Sequence, residues 1–351
     1  MANNLHDMKY TSNSFQCRGI VTRTKSNQFY KDKIGSNQDG VSVNFGVKIN
    51  DNKEVFMALT GYPKKEVYYY KKGENGKKGD TKKVVWKDRD KSPGAGYRLI
   101  GTTISTDKDA EGNNINSTFV EYDAVNWLAK NLKDGDSVFV KGKIEFRSWT
   151  GKNGEFKKVI NFVPNQISYT KNPVNFEVDD YKEMCEFENT IVFSDIEPEV
   201  DENNKKTGRF ILTGYSIAYN SVESTSFTIP AEQEALARNL KKRMKPGYSI
   251  KTFGRVEVIN DISTVEEEDA GWGTVSPMER VNGSTRREYI VYRADPNSID
   301  EDTYSEEGIM EAIRKIKASK TASANFGEKA NEDTGSDDWG VDNDLDENDP
   351  W

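Results

Sequence analysis

Residues 132–156 read L-K-D-G-D-S-V-F-V-K-G-K-I-E-F-R-S-W-T-G-K-N-G-E-F, and apolar and polar positions alternate strictly through the middle of this segment. One side of the alternation holds Val138, Val140, Gly142, Ile144 and Phe146. Successive side chains of a β-strand point to opposite faces of its sheet. The segment is therefore predicted to be a half-buried strand with this side facing the core.

The other side of the alternation combines aromatic rings with positive charges. It holds Phe139, Lys141, Lys143, Glu145, Arg147 and Trp149. Aromatic side chains stack on nucleobases, and Lys and Arg neutralise phosphates, so this combination is typical of a surface that binds single-stranded nucleic acid. An ordinary solvated strand face, with the two rings packed under a loop, explains the same residues. The pattern by itself leaves both interpretations open.

A resemblance favours the first interpretation. The run G-D-S-V-F-V-K-G-K-I-E-F-R-S-W-T resembles the strand pair of single-stranded DNA-binding proteins of the bacterial and phage type, in which G-x-x-V-x-V-x-G-x-[LI]-x-x-R-x-W-T recurs. The matching positions are Gly135, Val138, Val140, Gly142, Ile144, Arg147, Trp149 and Thr150. The resemblance implies an OB-fold, a small barrel whose surface binds oligonucleotides. It also implies that Trp149 stacks on a base.

A basic and aromatic insertion interrupts the barrel pattern at residues 62–98, which contain 12 Lys and Arg against 5 acidic residues. We expect a β-ribbon arm that grips a nucleic-acid strand, with Tyr68, Tyr70 and Trp86 among its contacts. The alternative is a solvated ribbon whose tyrosines pack on the barrel.

The central motif recurs in the second half of the chain. Residues 246–257 read P-G-Y-S-I-K-T-F-G-R-V-E and overlay D-G-D-S-V-F-V-K-G-K-I-E at residues 134–145. Helices are predicted before both copies, at residues 123–132, where Asp123 suits the N-cap, and at residues 231–244. Internal repetition indicates a repeated architecture and therefore a second OB-fold.

The second copy lacks the R-x-W continuation, so we expect it to serve mainly as a scaffold, dimerisation or partner-binding unit. Its residues Lys251, Phe253 and Arg255 keep a DNA-binding role open.

Charge is distributed unevenly along the chain, whose net charge is −8. Residues 1–171 carry 30 basic and 19 acidic side chains, whereas residues 172–329 carry 20 and 30. Residues 330–351 carry nine acidic side chains and no Lys or Arg. Such asymmetry predicts a basic binding domain, an acidic second domain and an acidic tail.

These features predict a mainly β protein with two tandem OB-fold barrels. The expected order is a flexible N-terminus at residues 1–14, a DNA-binding OB-fold at 15–171 with its insertion at 62–98, a linker at 172–183, a second OB-fold at 184–304, a helix at 305–320 and a disordered acidic tail at 321–351.

The last residues, D-D-W-G-V-D-N-D-L-D-E-N-D-P-W, resemble the acidic tail of the same family, which ends in Pro and an aromatic residue. The resemblance implies that this end docks in a basic pocket of replication or recombination proteins, while its acids steer the encounter. The residues expected to dock are Asp346, Glu347, Asp349, Pro350 and Trp351.

Catalytic and cofactor motifs are missing from the sequence. It has one histidine, His6, no C-x-x-C pair and no phosphate-binding G-x-x-x-x-G-K-[ST] loop. We therefore expect no enzyme activity, no metal and no cofactor. The carboxylates that leave a metal-dependent nuclease open as an alternative are Asp88, Asp90, Asp107 and Asp109.

The sequence also bears on location and partners. It contains no apolar run near the ~20 residues of a membrane span, and its two cysteines, Cys17 and Cys185, are expected to be reduced thiols. The predicted location is the cytoplasm, that of the bacterial host if the protein is viral. The predicted function is to coat single-stranded DNA in replication, recombination and repair, with homo-oligomers allowed. The alternative is a protein-interaction adaptor that does not coat DNA.

Overall fold

The computed structural model of the chain describes residues 6–35, 38–73, 78–150, 156–201, 203–219, 221–264 and 281–330. Strands dominate these residues, which confirms the mainly β fold class. The elements of the first half are β1 (Asn13–Thr22), β2 (Tyr30–Ile34), β3 (Gly40–Asn50), β4 (Lys53–Gly61), β5 (Glu66–Lys71), β6 (Asp80–Val85), β7 (Arg98–Leu99), β8 (Thr102–Lys108), β9 (Asn114–Phe119), α1 (Glu121–Asn131), β10 (Ser137–Thr150) and β11 (Phe156–Tyr169). The elements of the second half are β12 (Met184–Val200), β13 (Lys206–Ala218), β14 (Ser221–Ile229), α2 (Glu234–Arg243), β15 (Ser249–Thr264), β16 (Val281–Asp300) and α3 (Glu306–Ala330).

Each half closes five strands into a circuit of pairings. In the first circuit β1 pairs with β3 and β10, β3 with β4, and β10 with β11. A parallel bridge between Phe162 and Met57 then joins β11 to β4. In the second circuit β12 pairs with β13 and β15, β13 with β14, and β15 with β16, and a parallel bridge between Ile290 and Thr228 closes the ring. The chain thus repeats one pairing pattern in the same order.

The two circuits are joined edge to edge through their first strands. Residues 13–18 of β1 pair antiparallel with residues 184–189 of β12, and we call this pairing the seam. It merges both circuits into one sheet, to which 13 strands of the described part of the chain belong. Their buried side chains form one core, in which the Phe162 and Tyr289 rings stack 6.4 Å apart across the halves. Folding of one half is therefore coupled to folding of the other.

The repeated motif places a glycine where neighbouring strands approach closely. A Cβ on Gly142 would lie 2.7 Å from the Phe15 ring, and one on Gly254 would lie 2.1 Å from the Phe187 ring. Opposite each glycine the partner strand contains a β-bulge, whose extra residue is Asn165 in β11 and Tyr292 in β16. Steric exclusion of side chains explains why both copies of the motif carry glycine at this position.

Each long hairpin crosses onto the other circuit. The β15–β16 hairpin reaches β4, where Lys53 Nζ lies 2.7 Å from Glu257 Oε2. The β10–β11 hairpin packs on β14, where the rings of Phe146 and Phe227 meet edge to face at 6.2 Å. These reciprocal contacts extend the interface well beyond the seam.

The insertion forms a small sheet of its own in the order β6-β5-β7. Val67 and Tyr69 lie on its buried side and pack with Val120, next to α1. Since β5 alternates, Tyr68 and Tyr70 lie on the opposite, exposed side.

Several local predictions need correction. The first helix begins at Glu121, so Asp123 is not its N-cap. It lies in the first turn and accepts two hydrogen bonds from Arg89, of 2.6 and 3.0 Å. The last helix extends to Ala330, beyond the predicted end at residue 320. Strand β14 was not predicted from the sequence at all.

The polar N-terminal segment is packed rather than free from residue 6 onward. His6 is 5% exposed, and its Nε2 lies 2.9 Å from the carbonyl oxygen of Ala218. The backbone N–H of Thr11 donates to the carbonyl of Ile217 in β13. The contacts with β13 thus give hydrogen-bond partners to the His6 ring and the Thr11 amide, which the polar composition of this segment would place in solvent. On the same side, Ile309 of α3 is buried in one cluster with Val192.

Candidate nucleic-acid interface

The outward side of β10 gathers the cations predicted from the alternation. Phe139 is half-buried there, and Lys141 Nζ lies 5.4 Å from the centre of its ring. The neighbouring residues Val138 and Val140 are fully buried on the opposite side, so the strand is held in register by its core face. We use the name β10 face for Phe139, Lys141, Lys143, Glu145 and Arg147.

A carboxylate holds two of these cations. Glu145 lies 2.5 Å from Lys143 Nζ and 2.6 Å from a terminal nitrogen of Arg147. Burial raises the pKa of Glu145, but the hydrogen bonds and charges of the two cations outweigh it, so the pKa lies below its ordinary value. A phosphate that binds Lys143 or Arg147 therefore has to compete with an ionised protein acid.

Trp149 is placed only by its backbone, which pairs with Lys157 near the end of the β10–β11 hairpin. Its side chain lies outside the described residues, as does the tail that includes Asp346, Glu347, Asp349, Pro350 and Trp351. Their roles stay predictions.

The arm presents two of its three predicted contacts. Tyr68 and Tyr70 are 44% and 43% exposed on one side of β5. Lys83 Nζ lies 5.6 Å from the Tyr68 ring, and Arg98 pairs with Tyr70 across the sheet. This exposed side thus repeats the combination of rings and cations found on the β10 face.

Trp86, the third predicted contact of the arm, is half-buried. Its ring meets Tyr122 of α1 edge to face at 6.0 Å, and the Arg89 guanidinium carbon lies 4.5 Å from the ring centre. Because Arg89 also binds Asp123, Trp86 belongs to the contact that fixes the arm to the helix. Its part in DNA binding stays a prediction.

Tyr62 stands at the root of the arm. Burial and Asp39 raise its pKa, and the positive charge of Arg147 on the β10 face acts in the opposite direction.

The β10 face continues across the seam onto the second circuit. Across β1 and β12 the outward residues are Lys141, Gln16, Glu186 and Arg255 in register. A cavity of about 440 Å³ lies here, lined by residues of both circuits that include Lys141 and both bulge residues. On the far side the Arg293 guanidinium carbon lies 3.7 Å from the centre of the Phe253 ring. The joined sheet thus carries an aromatic–cation pair in each half.

One aromatic site was missed by the sequence analysis. Phe56 of β4 lies between two guanidinium groups, 4.5 Å from that of Arg23 and 4.9 Å from that of Arg287. The alternation of β4 marks Phe56 as the aromatic residue between buried Val55 and Met57, so its outward position could have been predicted. Arg23 directly follows β1 and Arg287 lies in β16. Nothing in the sequence pairs these two arginines with Phe56.

Two of the carboxylates considered for a nuclease, Asp88 and Asp109, have partners within their own segments. Asp88 binds Lys91 at 2.7 Å, and Asp109 accepts the backbone N–H groups of Glu111 and Asn113 within its own turn. Across the described ranges no group of three or more His, Cys, Asp or Glu side chains could hold a metal ion. The helices of those ranges include none with the length and apolar character needed to cross a bilayer.

Comparison with known proteins gives a family and a remote structural likeness. The wild-type single-stranded DNA-binding protein of Thermus aquaticus superposes with a TM-score of 0.38 and 10% identity, over 82% of this chain and 93% of that one. A deletion mutant of the same protein gives a TM-score of 0.38 and 10% identity, over 82% and 94%. No curated protein matches the chain. The YorF family model matches residues 12–329, nearly the whole sequence, and the chain therefore belongs to the YorF family.

Proposed function

We propose that this protein binds single-stranded DNA without catalysing a reaction, and that it coats and protects exposed strands during replication, recombination or repair. The observation that carries the proposal is the β10 face, where the Phe139 ring, the Lys141 ammonium group 5.4 Å from it and two further cations share one outward strand surface. Rings stack on bases and cations neutralise phosphates, so one strand face meets both parts of a nucleotide.

Each circuit is, in this proposal, an OB-fold. The support is the pairing order, in which the first strand pairs with the second and fourth, and the fifth closes against the third. A helix precedes the fourth strand in both halves, as α1 and α2. OB-folds are five-stranded barrels of this kind whose surfaces bind oligonucleotides. The domain limits of residues 15–171 and 184–304 belong to the same proposal.

Bases would stack on Phe139 and Trp149, and on Tyr68, Tyr70 and Trp86 of the arm. Phosphates would meet Lys141, Lys143 and Arg147. Each stacked ring is expected to contribute ~1–3 kcal/mol per base. We also propose that the acidic tail recruits replication or recombination proteins, that the chain can form homo-oligomers, and that it acts in the cytoplasm.

Titration of the full chain with dT oligomers over a salt series tests the proposal. We expect tight binding whose log K falls by about 0.7 per log unit of salt for each neutralised phosphate. Phe139→Leu should weaken binding about 5-fold or more, because it keeps apolar volume but removes the stacking ring. Tyr10→Leu removes an exposed ring that lies against Tyr219 instead and serves as the control. Absent binding, or affinity independent of salt, would favour the protein-interaction adaptor.

A further inference from the structure

The only two cysteines of the sequence meet at the centre of the seam. Cys17 in β1 lies directly opposite Cys185 in β12 in the antiparallel register. Both thiols are free, and the residues are 0% and 4% exposed on the core side of the sheet. Two residues 168 positions apart in the sequence are thus brought side by side by the pairing that joins the two circuits.

The geometry of this pair suits a disulfide. Directly opposed residues of an antiparallel pair have Cα atoms about 4.5–5.5 Å apart. Disulfides span Cα separations of about 4.4–6.8 Å, so closure needs no large backbone movement. Hydrogen bonding to Cys185, together with burial, raises the pKa of Cys17 well above its ordinary value. Cys17 is therefore a protonated, weakly reactive thiol at neutral pH.

Cys185 is the member of the pair that borders a cavity. It lines an open cavity of about 400 Å³ together with Glu186, Arg255 and Tyr292, and Cys17 is not among the lining residues. A small thiol reagent that enters this cavity reaches Cys185 first. The core position of Cys17 leaves it open to attack only from the neighbouring sulfur.

We propose that Cys17 and Cys185 form a site of reversible covalent modification, a cross-strand disulfide that locks the seam between the two circuits. The oxidant is a small-molecule disulfide. The Cys185 thiolate attacks one of its sulfurs, releases a small thiolate and becomes a mixed disulfide. The Cys17 thiolate then attacks Sγ of Cys185 and releases the second small thiolate. The small disulfide accepts the two electrons, and the two cysteine protons end on the released thiols.

The bond would act on the one strand pairing that, within the described ranges, joins the circuits. It also closes a loop of about 170 residues in the unfolded chain, which limits the conformations available to that state. The melting temperature of the oxidised protein is therefore expected to rise by about 5 °C or more. This proposal does not depend on nucleic-acid binding.

The test uses the full chain and bis(2-hydroxyethyl) disulfide under native conditions, followed by intact mass and thiol titration. We expect the wild type to lose both thiols, to form no disulfide between chains and to become lighter by two hydrogen atoms, with recovery after reduction. In Cys17→Ser the mixed disulfide on Cys185 should persist as a mass adduct. Cys185→Ser should stay unmodified until it is unfolded.

Three results would overturn the proposal. In the first, the folded wild type retains both thiols although the unfolded protein reacts with the reagent. In the second, the mixed disulfide accumulates and the Cys17–Cys185 bond does not form. In the third, the wild type forms disulfide-linked dimers. Each is decided on the wild-type protein alone, so the conclusion does not require either serine variant to fold.

Discussion

Replacement of Glu145 by Gln tests the β10 face directly, because its expected effect is a gain of binding. The Glu145 carboxylate holds Lys143 at 2.5 Å and Arg147 at 2.6 Å, although both cations are expected to meet phosphates. Glu145→Gln keeps the size of the side chain and removes its charge. The two cations are then free to bind a phosphate without displacing an ionised acid.

The size of the expected gain in DNA affinity follows from the number of cations that Glu145→Gln releases. Each additional phosphate neutralised on single-stranded DNA steepens the fall of log K with log[salt] by about 0.7. At about 0.2 M salt, one released cation corresponds to roughly 3-fold tighter binding and two to roughly 10-fold. The variant should therefore show both a higher affinity and a steeper salt dependence than the wild type.

The second repeat offers a matched control. Glu257 occupies the same motif position, 2.7 Å from Arg255 Nε and 2.7 Å from Lys53 Nζ. Glu257→Gln removes the same charge, so an effect of net charge alone would appear equally in both variants. Titration with a short dT oligomer at several salt concentrations distinguishes them. Equal gains, or a Glu145→Gln variant that binds no more tightly than the wild type, would refute the reasoning.

The same contact has a consequence for pH dependence. Burial raises the pKa of Glu145, but the bound cations outweigh it, so the carboxylate stays ionised to a lower pH than usual. Its contribution to folding stability is present above its unfolded-state pKa and is lost as pH falls through the lowered folded value. Protonation also releases Lys143 and Arg147. The affinity ratio of variant to wild type should therefore approach one in that acidic range.

Three further predictions concern the arm and the core. Tyr68→Ala and Tyr70→Ala should each weaken DNA binding by ~1–3 kcal/mol, measured by titration, and leave the melting temperature unchanged because both rings are exposed. Gly142→Ala should lower stability by ~1–3 kcal/mol in denaturant unfolding, since its Cβ would lie 2.1 Å from the Val163 carbonyl oxygen. Arg89→Ala should loosen the arm from α1, which limited proteolysis within residues 62–98 would report, with the rest of the chain protected.

Local periodicity accounts for much of the fold. The alternation of β10, the two helices before the repeated motif and the separate insertion all follow from local sequence patterns. Strand β14 was not predicted because its core face is partly polar. Glu223 and Thr225 are buried beside Phe227, so polar and apolar residues do not alternate along the strand. Ser148 of the opposite circuit donates to Glu223, a contact that no local pattern contains.

The parts of the site that were missed depend on long-range pairing. Nothing near Phe56 in the sequence points to Arg23, which follows β1, or to Arg287 of β16, because only the folded topology brings these cations to the ring. In the same way, the role of Asp123 is set by Arg89 of the arm rather than by the helix terminus. Motif spacing identifies candidate residues, whereas their partners are determined by topology.

The second circuit is expected to contribute to binding once a strand is long enough to cross the seam. The repeats place a ring and a cation two positions apart in opposite order, Phe139 then Lys141 in one and Lys251 then Phe253 in the other. Because the seam holds both circuits in one sheet, a DNA strand that extends beyond the β10 face meets Phe253 on the same surface. Phe253→Leu should therefore weaken binding of long dT oligomers and spare short ones. An equal loss of affinity for short oligomers would mean that Phe253 and the β10 face bind the same few nucleotides. Unchanged affinity at every length would indicate that the second circuit is a scaffold.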